Sequence, residues 1–586
     1  MHWPLAACAE LPLPKDHTSA MARASKEVDL LVIGSGAAGM TAALTAALHG
    51  LDVRVVEKSS HVGGTTARSA GSVWLPNTRH DHSDDSFDRA RLYLSQALGD
   101  RMRPDMVDAF LRAGPDMVDF LERHSSVSFR AYTHHPDYLA RLDGATLSGR
   151  ALEPLPFDGS VLGTQLRAVR MPLPEFTLFG GMMVDRTDIG HLLNAGKSWG
   201  SMWRSAALVS RFAMDKMRYG RGARLVMGNA LVGRLYHSLL EKRVPVEMSA
   251  EARALIQDRG NVKGAVICVA GTETEIHCRR GVVLATGGFS RHAQLRAELM
   301  PPSLCANSPI VESATGDGIG LGRSVGGYLG TNHARNSFGA PVSLRKRGDG
   351  SVAAFPHLVL DRGKPGLIAI NSDGSRFVNE ATTYHLFVEA MFRELNGREH
   401  AGCHLICDDA FIAKYGLGMV RPRKLNLKAA IGDGYVMRAD TIEGLATKLA
   451  LPPQKLVSTV ARHNYFSTTG VDEDFSKGSD AYQRNLGDST HKPNPCLGPL
   501  GTAPFYAVTV YPGDLGASCG LVTNTAAQVL RPDGAIVAGL YACGNDMDSI
   551  MRGVYPGPGV TLGPAMTFGY LAALDAAGKQ EGLRLS

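Results

Sequence analysis

The apolar residues of this chain fall into short runs that end on glycine, a pattern typical of buried parallel strands leading into tight turns. The first run, Val28 to Ile33, precedes the sequence Gly-Ser-Gly-Ala-Ala-Gly at 34–39 and a helical pattern that continues to His49. A second run, Val53 to Val56, ends on Glu57. Strand, glycines, helix and strand in this order predict a βαβ unit.

Two later runs of the same kind lie far apart in the chain. Gly281 to Phe289 follows an alternating segment, Val244 to Cys278, that predicts a small β-meander. Gly539 to Asn545 precedes helix-like residues 565–577. We expect both runs to join the sheet of the first unit, so that the domain is built from separate parts of the chain.

The glycines at 34–39 predict a dinucleotide site. Gly34 allows a tight turn, Gly36 lets the backbone approach a pyrophosphate, and Gly39 lets the helix lie close to the strand. The helix N-terminus adds partial positive charge, and Glu57 is placed to accept hydrogen bonds from ribose hydroxyls. The loop at 63–66, Gly-Gly-Thr-Thr, offers amides and hydroxyls to a phosphate and a flavin, so we expect the dinucleotide to be FAD.

These patterns predict the domain organisation of the 586 residues, which are too many for one ordinary core. We expect an α/β fold with a Rossmann-like FAD-binding domain and an inserted α+β catalytic, or capping, domain. The predicted ranges are a disordered extension at 1–26, the first part of the FAD-binding domain at 27–302, the catalytic domain at 303–504, and the second part of the FAD-binding domain at 505–586. A basic helical insertion is expected at about 160–225.

Two further predictions concern helices. Asp84 to His124 predicts helices that break at Gly99-Asp100 and at Gly114-Pro115. No apolar run reaches the roughly 18 to 20 residues that a membrane span requires, so we expect no transmembrane helix.

Composition excludes some classes of protein. The net charge of +6 is small for this length and its charges are mixed, which argues against nucleic-acid binding. Residues 1–24 do not read as a secretory signal, and nine dispersed cysteines suggest reduced thiols, so we expect a cytoplasmic protein. Cys403-His404 with Cys407 lacks a second ligand pair, so no metal is expected.

The segment 197–224 is basic and rich in large apolar residues. Its one acid is Asp215, against seven cations: Lys197, Arg204, Arg211, Lys216, Arg218, Arg221 and Arg224. Trp199 and Trp203 are interleaved with them. One interpretation is a peripheral membrane contact that captures a lipophilic substrate. The other is a surface helix that packs on its own domain or on another subunit.

The pentapeptide Tyr555-Pro556-Gly557-Pro558-Gly559 has a chemistry of its own. Prolines lack an N–H and fix their φ angles, so the turn is rigid and the glycines supply its amide donors. One phenol and one glycine amide held in such a turn can converge on a carbonyl oxygen and stabilise a developing enolate.

Several segments together resemble the fumarate reductase/succinate dehydrogenase flavoprotein superfamily over nearly all of residues 27–580. They are the glycines at 34–39, Glu57, the loop at 63–65, Ala-Thr-Gly-Gly-Phe at 285–289, Thr-Gly-Asp-Gly at 315–318, the stretch 374–380 and the strand 539–545. The pentapeptide at 555–559 and the residues after it resemble the 3-ketosteroid dehydrogenase branch, especially the Δ1-dehydrogenases.

The resemblance implies roles for particular residues. Tyr555 and Gly559 match the residues that hold the C3 ketone, and Tyr384 matches the tyrosine that takes the C2 proton. Tyr138 matches its partner, and flavin N5 accepts the β-hydride. Family members often have two adjacent tyrosines at this place, whereas this chain has Leu139 after Tyr138.

The residues expected to contact FAD combine the sequence pattern with this resemblance. They are Gly34, Ser35, Gly36, Ala37, Ala38, Gly39, Glu57, Lys58, Gly63, Gly64, Thr65, Thr66, Gly288, Gly544, Asn545, Thr561 and Leu562. No histidine lies in the loop 63–72, where related dehydrogenases attach the flavin covalently, so we expect non-covalent FAD.

The resemblance therefore implies Δ1-dehydrogenation of a 3-ketosteroid, with the electrons leaving to an external acceptor. Δ4 desaturation and flavin-dependent reduction of enones or unsaturated acids are the alternatives. Fumarate reduction requires fixed cations around two carboxylates, and of the His-Gly-Ala-Asn-Arg-like segment that supplies them only Arg552 is present within 548–555. A third alternative is a catalytically silent flavin-binding or membrane-associated protein.

Overall fold

A parallel sheet forms the centre of the molecule. The computed structural model describes residues 26–81, 85–399 and 401–579, so the predicted extension at 1–26 lies outside the described residues except for Lys26. Five neighbouring strands are parallel, in the order Ile536–Ala542, Thr272–Leu284, Lys26–Ile33, Val53–Glu57 and Val246–Met248. Gln528–Leu530 adds an antiparallel edge. The runs predicted to share one sheet therefore do so.

Helices cover this sheet. The helix that follows the first strand, Ala37–Leu48, is buried along most of its length and packs against the C-terminal helix Leu562–Ala576. The other helices of this part are Phe87–Leu98, Pro104–His124, Met227–Glu241, Ala293–Leu299 and Asp317–Ser324. Small residues on the first helix permit the close contact with the last one, because few side-chain atoms separate the two backbones.

The predicted β-meander is present, with one change. Ala250–Asp258, Asn261–Val269 and Thr272–Leu284 are antiparallel neighbours in that order. The last of them is a single strand of 13 residues, which completes the meander and then continues as the parallel neighbour of the first strand. The sequence pattern predicts separate strands before and after residue 281, because the glycine there interrupts the alternation.

One predicted helix break is wrong. Gly99 ends the helix Phe87–Leu98 as expected, but Pro104–His124 continues through Gly114 and Pro115. Its strong apolar face stays buried on both sides of the proline, so packing outweighs the lost backbone hydrogen bond. A side chain at Gly114 would collide with Leu75, whose side chain lies 2.7 Å from the position of such a Cβ.

A second sheet, whose strand pairs are all antiparallel, forms the cap. Its strand order is Val352–Pro356, Ser337–Lys346, Phe505–Ala517, Cys403–Asp408 and Leu367–Ile370, with Met437–Ala439 also paired to Phe505–Ala517. Its helices are Tyr384–Leu395, Asp409–Tyr415, Leu427–Gly432, Ile442–Lys448, Pro453–Thr469 and Ala481–Leu486.

The sequence places the end of this domain at 504, but the central strand of its sheet is 505–517. We therefore propose that the cap extends to Ala517.

Short strands surround the central sheet. Val73–Trp74, Ala151–Pro154 and Phe129–Ala131 form a three-stranded sheet. Phe157–Asp158 pairs with Arg224–Leu225 and closes the base of the basic insertion, which holds the helices Arg186–Leu193 and Trp199–Tyr219. The predicted fold class, a Rossmann-like domain with an inserted α+β cap, is confirmed.

Candidate active site

The three glycines of the first turn have three different surroundings. Gly34 has φ +109°, and a Cβ there would lie 2.2 Å from the carbonyl oxygen of Ala285. A Cβ at Gly39 would lie 2.0 Å from the carbonyl oxygen of Gly34, so this glycine lets the helix approach the strand. At Gly36 the nearest atom, Thr66 Oγ1, is 3.9 Å away, which leaves the backbone accessible. This open backbone beside a helix N-terminus fits the pyrophosphate of FAD.

Glu57 and Lys58 organise the loops on either side of that turn. Glu57 accepts hydrogen bonds from the amide and hydroxyl of Ser35, at 3.0 and 2.6 Å, and from the amide of Ser59 at 2.9 Å. Lys58 Nζ lies 2.9 Å from an oxygen of Asp317 and 2.7 Å from Thr315 Oγ1. Lys58 therefore joins the first βαβ unit to the Thr-Gly-Asp-Gly segment, a contact that the sequence does not indicate.

The loop at 63–66 lies against the glycine turn, as a shared phosphate site requires. Gly63 N donates to the carbonyl oxygen of Ser35, and Thr66 Oγ1 accepts from Ala37 N at 3.1 Å. Thr65 Oγ1 accepts from Val311 N at 3.4 Å. The nearest atom to a Cβ added at Gly64 would be the Cα of Gly36, in the glycine turn, 3.9 Å away.

The remaining predicted cofactor residues lie where the late strand ends. Gly544 and Asn545 form a 3₁₀ turn after Ile536–Ala542, and a Cβ at Gly288 would be 3.0 Å from Asn545. Asp546, which sequence reasoning missed, is fully buried and accepts from Gly288 N and Thr286 Oγ1, both at 2.9 Å. Burial raises the pKa of Asp546 to about 6. It follows Gly544 and Asn545 directly, but a single acid at a strand end carries no distinctive signal.

Thr561 and Leu562 stand at the start of the C-terminal helix. Leu562 is its first residue, and Thr561 is its N-cap. The Thr561 side chain favours the ionised form of Tyr555, against burial, which is the larger effect and raises the pKa of that phenol. Thr561 therefore connects the predicted cofactor residues to the predicted substrate residues.

The structure brings the three predicted tyrosines together at the boundary between the two domains. Tyr138 and Tyr555 come from the FAD-binding domain, and Tyr384 begins the cap helix Tyr384–Leu395. The ring centroid of Tyr384 is 5.1 Å from that of Tyr555 and 5.5 Å from that of Tyr138. The hydroxyl of Tyr138 donates to that of Tyr384 at 3.4 Å. All three rings are buried.

The pentapeptide is held in place by residues distant in sequence. The carbonyl oxygen of Pro556 accepts from Tyr138 N at 2.8 Å and from the hydroxyl of Tyr93 at 2.6 Å. Gly559 has φ +94°, and a Cβ there would lie 2.3 Å from the carbonyl oxygen of Ser72. Packing and backbone conformation therefore both require glycine at position 559.

A buried ionic network positions the loop that carries Tyr138. Asp137 accepts from Trp74 Nε1 at 2.9 Å and from Arg150 Nη1 at 2.8 Å. Arg150 also pairs with Asp85, with a 2.6 Å separation. The side chains of this network are almost completely buried. Such a satisfied network fixes one geometry, since removing one partner would leave a buried charge uncompensated.

Buried charged residues of the cap surround Glu380, four residues before Tyr384. Glu380 pairs with Arg376 at 2.8 Å and with Lys477 at 3.2 Å, and these cations hold the pKa of Glu380 far below its usual value. Thr383 caps the helix of Tyr384 by accepting from Leu386 N. The helix that begins at Tyr384 is therefore capped, and the segment just before it is held by buried salt bridges.

Burial governs the protonation of the tyrosines. It raises the pKa of Tyr138 and of Tyr384 well above the ordinary value, and it also raises the pKa of Tyr555. His385, next to Tyr384, is buried as well, and burial lowers its pKa to about 4. At neutral pH these side chains are therefore neutral phenols and a neutral imidazole.

Arg552 is engaged within the protein. Its guanidinium contacts a carboxylate oxygen of Asp548 and the carbonyl oxygen of Thr331. The same aspartate lies 2.7 Å from His333 Nε2. Among the described residues, His333, Asp548 and Cys519 are the one trio with metal-ligand spacing. The arginine already compensates the charge of Asp548, so we assign neither a metal nor a substrate carboxylate to this position.

The fold and the site define an FAD-dependent oxidoreductase. The family model described as FAD binding domain matches residues 29–562. The 3-oxosteroid 1-dehydrogenase of Mycolicibacterium smegmatis is 37% identical over 570 residues, which cover 94% of this chain and 97% of that protein. The chain therefore belongs to the flavoprotein family that contains the 3-ketosteroid Δ1-dehydrogenases.

Two further relatives describe the range of this family. The 4-oxocyclohex-2-ene-1-carboxylate 5-dehydrogenase of Sinomonas cyclohexanicum is 35% identical and covers 94% of this chain and 93% of its own. The crystal structure of 3-ketosteroid Δ1-dehydrogenase from Sterolibacterium denitrificans, in complex with 1,4-androstadiene-3,17-dione, is 34% identical. It superposes with a TM-score of 0.88 and covers 94% of this chain and 100% of its own.

Proposed function

We propose that the protein desaturates a 3-ketosteroid at C1–C2, beside its carbonyl, with non-covalently bound FAD and an external electron acceptor. One observation carries the proposal. The ring centroid of Tyr555, which lies on a rigid turn, is 5.1 Å from that of Tyr384, a second phenol that belongs to the cap. When bound at the glycine turn, FAD supplies the acceptor for the β-hydride.

The turn that carries Tyr555 supplies the hydrogen-bond donors that would bind the ketone. The hydroxyl of Tyr555 and the amide of Gly559 are the two donors that would converge on the carbonyl oxygen. As the α-proton leaves, negative charge develops on that oxygen, and donors that are already oriented stabilise it without reorganisation. The hydrogen bonds to Pro556 keep the turn rigid.

Tyr384 is the residue that would take the α-proton. Because burial raises its pKa well above the ordinary value, a free phenolate is scarcely populated at neutral pH. Tyr384 must therefore release its own proton as it receives one from the substrate. The hydroxyl of Tyr138 lies 3.4 Å away and donates to Tyr384, so this hydrogen bond would have to reverse for Tyr138 to receive the proton.

The surroundings of Tyr555 favour a neutral, lipophilic ketone over a ketone that carries a carboxylate. The rings nearest to it belong to Tyr138, Tyr384, Phe338 and His385, with centroids 5.1 to 6.2 Å away. The imidazole is uncharged at neutral pH. A buried carboxylate without a cationic partner would be strongly disfavoured, so a steroid fits these rings better than a cyclohexenone carboxylate.

Anaerobic mixing of the purified protein with candidate donors tests the proposed reaction. We expect a 4-ene-3-ketosteroid to bleach the visible absorbance of the flavin and to yield the 1,4-diene-3-ketone by mass spectrometry. A saturated 3-ketosteroid that yields only the 4-ene product would instead establish Δ4 regiochemistry. Bleaching by NADH alone, or reoxidation by fumarate, would point to a reductase.

We also propose that the helix Trp199–Tyr219 contacts a membrane surface. Its inner face packs on the domain through Ser205, Leu208 and Phe212. Trp199 and Trp203 are 76% and 69% exposed, and the exposed methionines 202, 214 and 217 and the basic residues share the outer surface. Within the described part of the chain, no helix has both the length and the apolar character needed to span a bilayer. A cationic helix with exposed tryptophans is typical of interfacial binding to anionic lipids.

Vesicle sedimentation tests this contact. We expect the protein to bind vesicles that contain phosphatidylglycerol, with at least about tenfold weaker binding to phosphatidylcholine vesicles or after Trp199→Ser and Trp203→Ser. Tyr465→Ser, which removes an aromatic ring that is 58% exposed in the cap, is the matched control. Equal binding of the double variant and the native chain would refute the proposal.

A further inference from the structure

A cavity at the boundary between the FAD-binding domain and the cap is lined by four arginines. Its volume of about 340 Å³ lies in the range of small-molecule sites. Arg68, Arg170 and Arg291 come from the FAD-binding domain, and Arg347 comes from the cap. Among the described residues that line it, Glu312 is the one carboxylate. None of the residues expected to contact FAD, all of which the structure describes, lines this arginine cavity.

Two of the four arginines already have carboxylate partners. Arg68 donates to both oxygens of Glu312, at 3.1 and 3.2 Å. Arg347 pairs with Glu175 at 2.7 Å. Both guanidinium charges are therefore balanced within the protein, which leaves Arg170 and Arg291 as the cations that define the character of the cavity.

Arg291 is bound to the backbone. Its guanidinium donates to the carbonyl oxygens of Ala306, Ser308 and Ile310. The oxygen of Ile310 also accepts from Arg68 at 3.4 Å, so two guanidiniums share one carbonyl. Carbonyl dipoles do not cancel a full charge, and burial lowers the pKa of Arg291 although nearby carboxylates favour its cation.

Arg170 is the least compensated of the four. Its Nη2 donates to Ser59 Oγ at 2.7 Å, but its Nε is buried and has no hydrogen-bond partner among the residues that the structure describes. Burial lowers the pKa of Arg170, and the positive charge of Arg68 lowers it further. A buried donor without a partner and two neighbouring cations are both unfavourable, and a bound anion would relieve both.

The arginine cavity adjoins the helix Trp199–Tyr219. Met171 lines the cavity, and a Cβ added at Gly181 would lie 3.6 Å from Met171 and 4.0 Å from Phe212 of that helix. The cavity is therefore next to the helix for which we propose a membrane contact, where the phosphates of lipid headgroups would be close by.

We propose that the arginine cavity binds a phosphate group, with Arg170 as a principal contact. Guanidiniums recognise phosphate oxygens through paired, charge-assisted hydrogen bonds, which a single point charge does not offer. The phosphate belongs either to a soluble phosphate compound or to a phospholipid headgroup, and the recognised group is the same. The site does not depend on the proposed dehydrogenation.

Isothermal titration calorimetry of the FAD-loaded protein, in a phosphate-free buffer, tests this inference with inorganic phosphate and with glycerol 3-phosphate. We expect a dissociation constant of about 1 mM or lower for the native chain and at least about tenfold weaker binding by Arg170→Gln. This variant keeps the length of the side chain and breaks no ion pair, and circular dichroism and flavin absorbance verify its fold. Arg438→Gln, which removes a cap arginine paired with Asp440, is the matched control and should keep the native affinity.

Sedimentation with phosphatidylglycerol vesicles identifies the source of the phosphate. If Arg170→Gln also binds vesicles at least about tenfold more weakly than the native chain, the ligand is a lipid headgroup. Unchanged vesicle binding together with lost binding of soluble phosphate would identify a soluble phosphate compound, and either result supports the site. Equal binding of both soluble phosphates and of vesicles by Arg170→Gln and the native chain would overturn it, as would the absence of any phosphate binding to the native chain with unchanged vesicle binding of the variant.

Discussion

Replacing Tyr555 by phenylalanine is expected to abolish most of the turnover while the protein keeps its flavin. The substitution removes one of the two donors that stabilise the enolate oxygen, and loss of one such donor typically lowers kcat by about 100- to 1000-fold. The ring remains, so its packing against Tyr384 and Phe338 should persist. Steady-state kinetics with a 4-ene-3-ketosteroid and an artificial acceptor measures the effect.

The control for this variant removes a different buried phenol hydroxyl. Tyr541 lies in the central sheet, and its hydroxyl donates to Asp575 at 2.8 Å. Tyr541→Phe should therefore change stability by about 1 kcal/mol without a comparable loss of turnover. Full activity of Tyr555→Phe, with flavin content equal to that of the native protein, would contradict the role proposed for the turn.

Replacing Gly36 by valine is expected to give a folded protein that no longer retains FAD. The protein itself has room at this position, because the nearest heavy atom to an added Cβ is 3.9 Å away and the backbone φ is not in the left-handed region. The space that the side chain would fill is the one that the pyrophosphate needs to reach the backbone. We expect FAD affinity to fall by at least about 100-fold, which corresponds to about 2.7 kcal/mol.

Flavin release and thermal unfolding together check this prediction. The FAD affinity is measured by fluorescence titration of the deflavinated protein, and circular dichroism verifies the fold. Gly432→Val, at a cap glycine that also has open space around it, is the control and should keep its FAD. A yellow, fully loaded Gly36→Val protein would show that the dinucleotide binds elsewhere.

Much of the nucleotide site follows from short stretches of sequence. The turn after the first strand, the loop at 63–66 and the terminal Glu57 are local patterns whose backbone requirements are visible in the residues themselves. The three glycines have three distinct surroundings in the structure. The turn that carries Tyr555 is also a local pattern, since its prolines restrict the backbone wherever the chain places it.

Other features depend on partners that no local pattern indicates. Pro115 remains inside a helix because that helix is packed along its length. Phe505–Ala517 lies in the second sheet because its hydrogen-bonded neighbours are strands of that sheet. The hydroxyl of Tyr93 donates to the turn that carries Tyr555 from a position 463 residues earlier in the chain. Tyr482, on the helix Ala481–Leu486, lies with its ring 4.7 Å from that of Tyr138, although the sequence of this helix has no distinctive pattern.

The sequence by itself thus determined the nucleotide turn, the general fold class and the rigid turn at Tyr555, because backbone restrictions and hydrophobic periodicity act over a few residues. Only the tertiary structure decided which phenols lie together, which strand stands at the centre of the second sheet and which buried charges pair with one another. These properties arise when distant segments meet, since burial and hydrogen bonding between them depend on the whole packed chain.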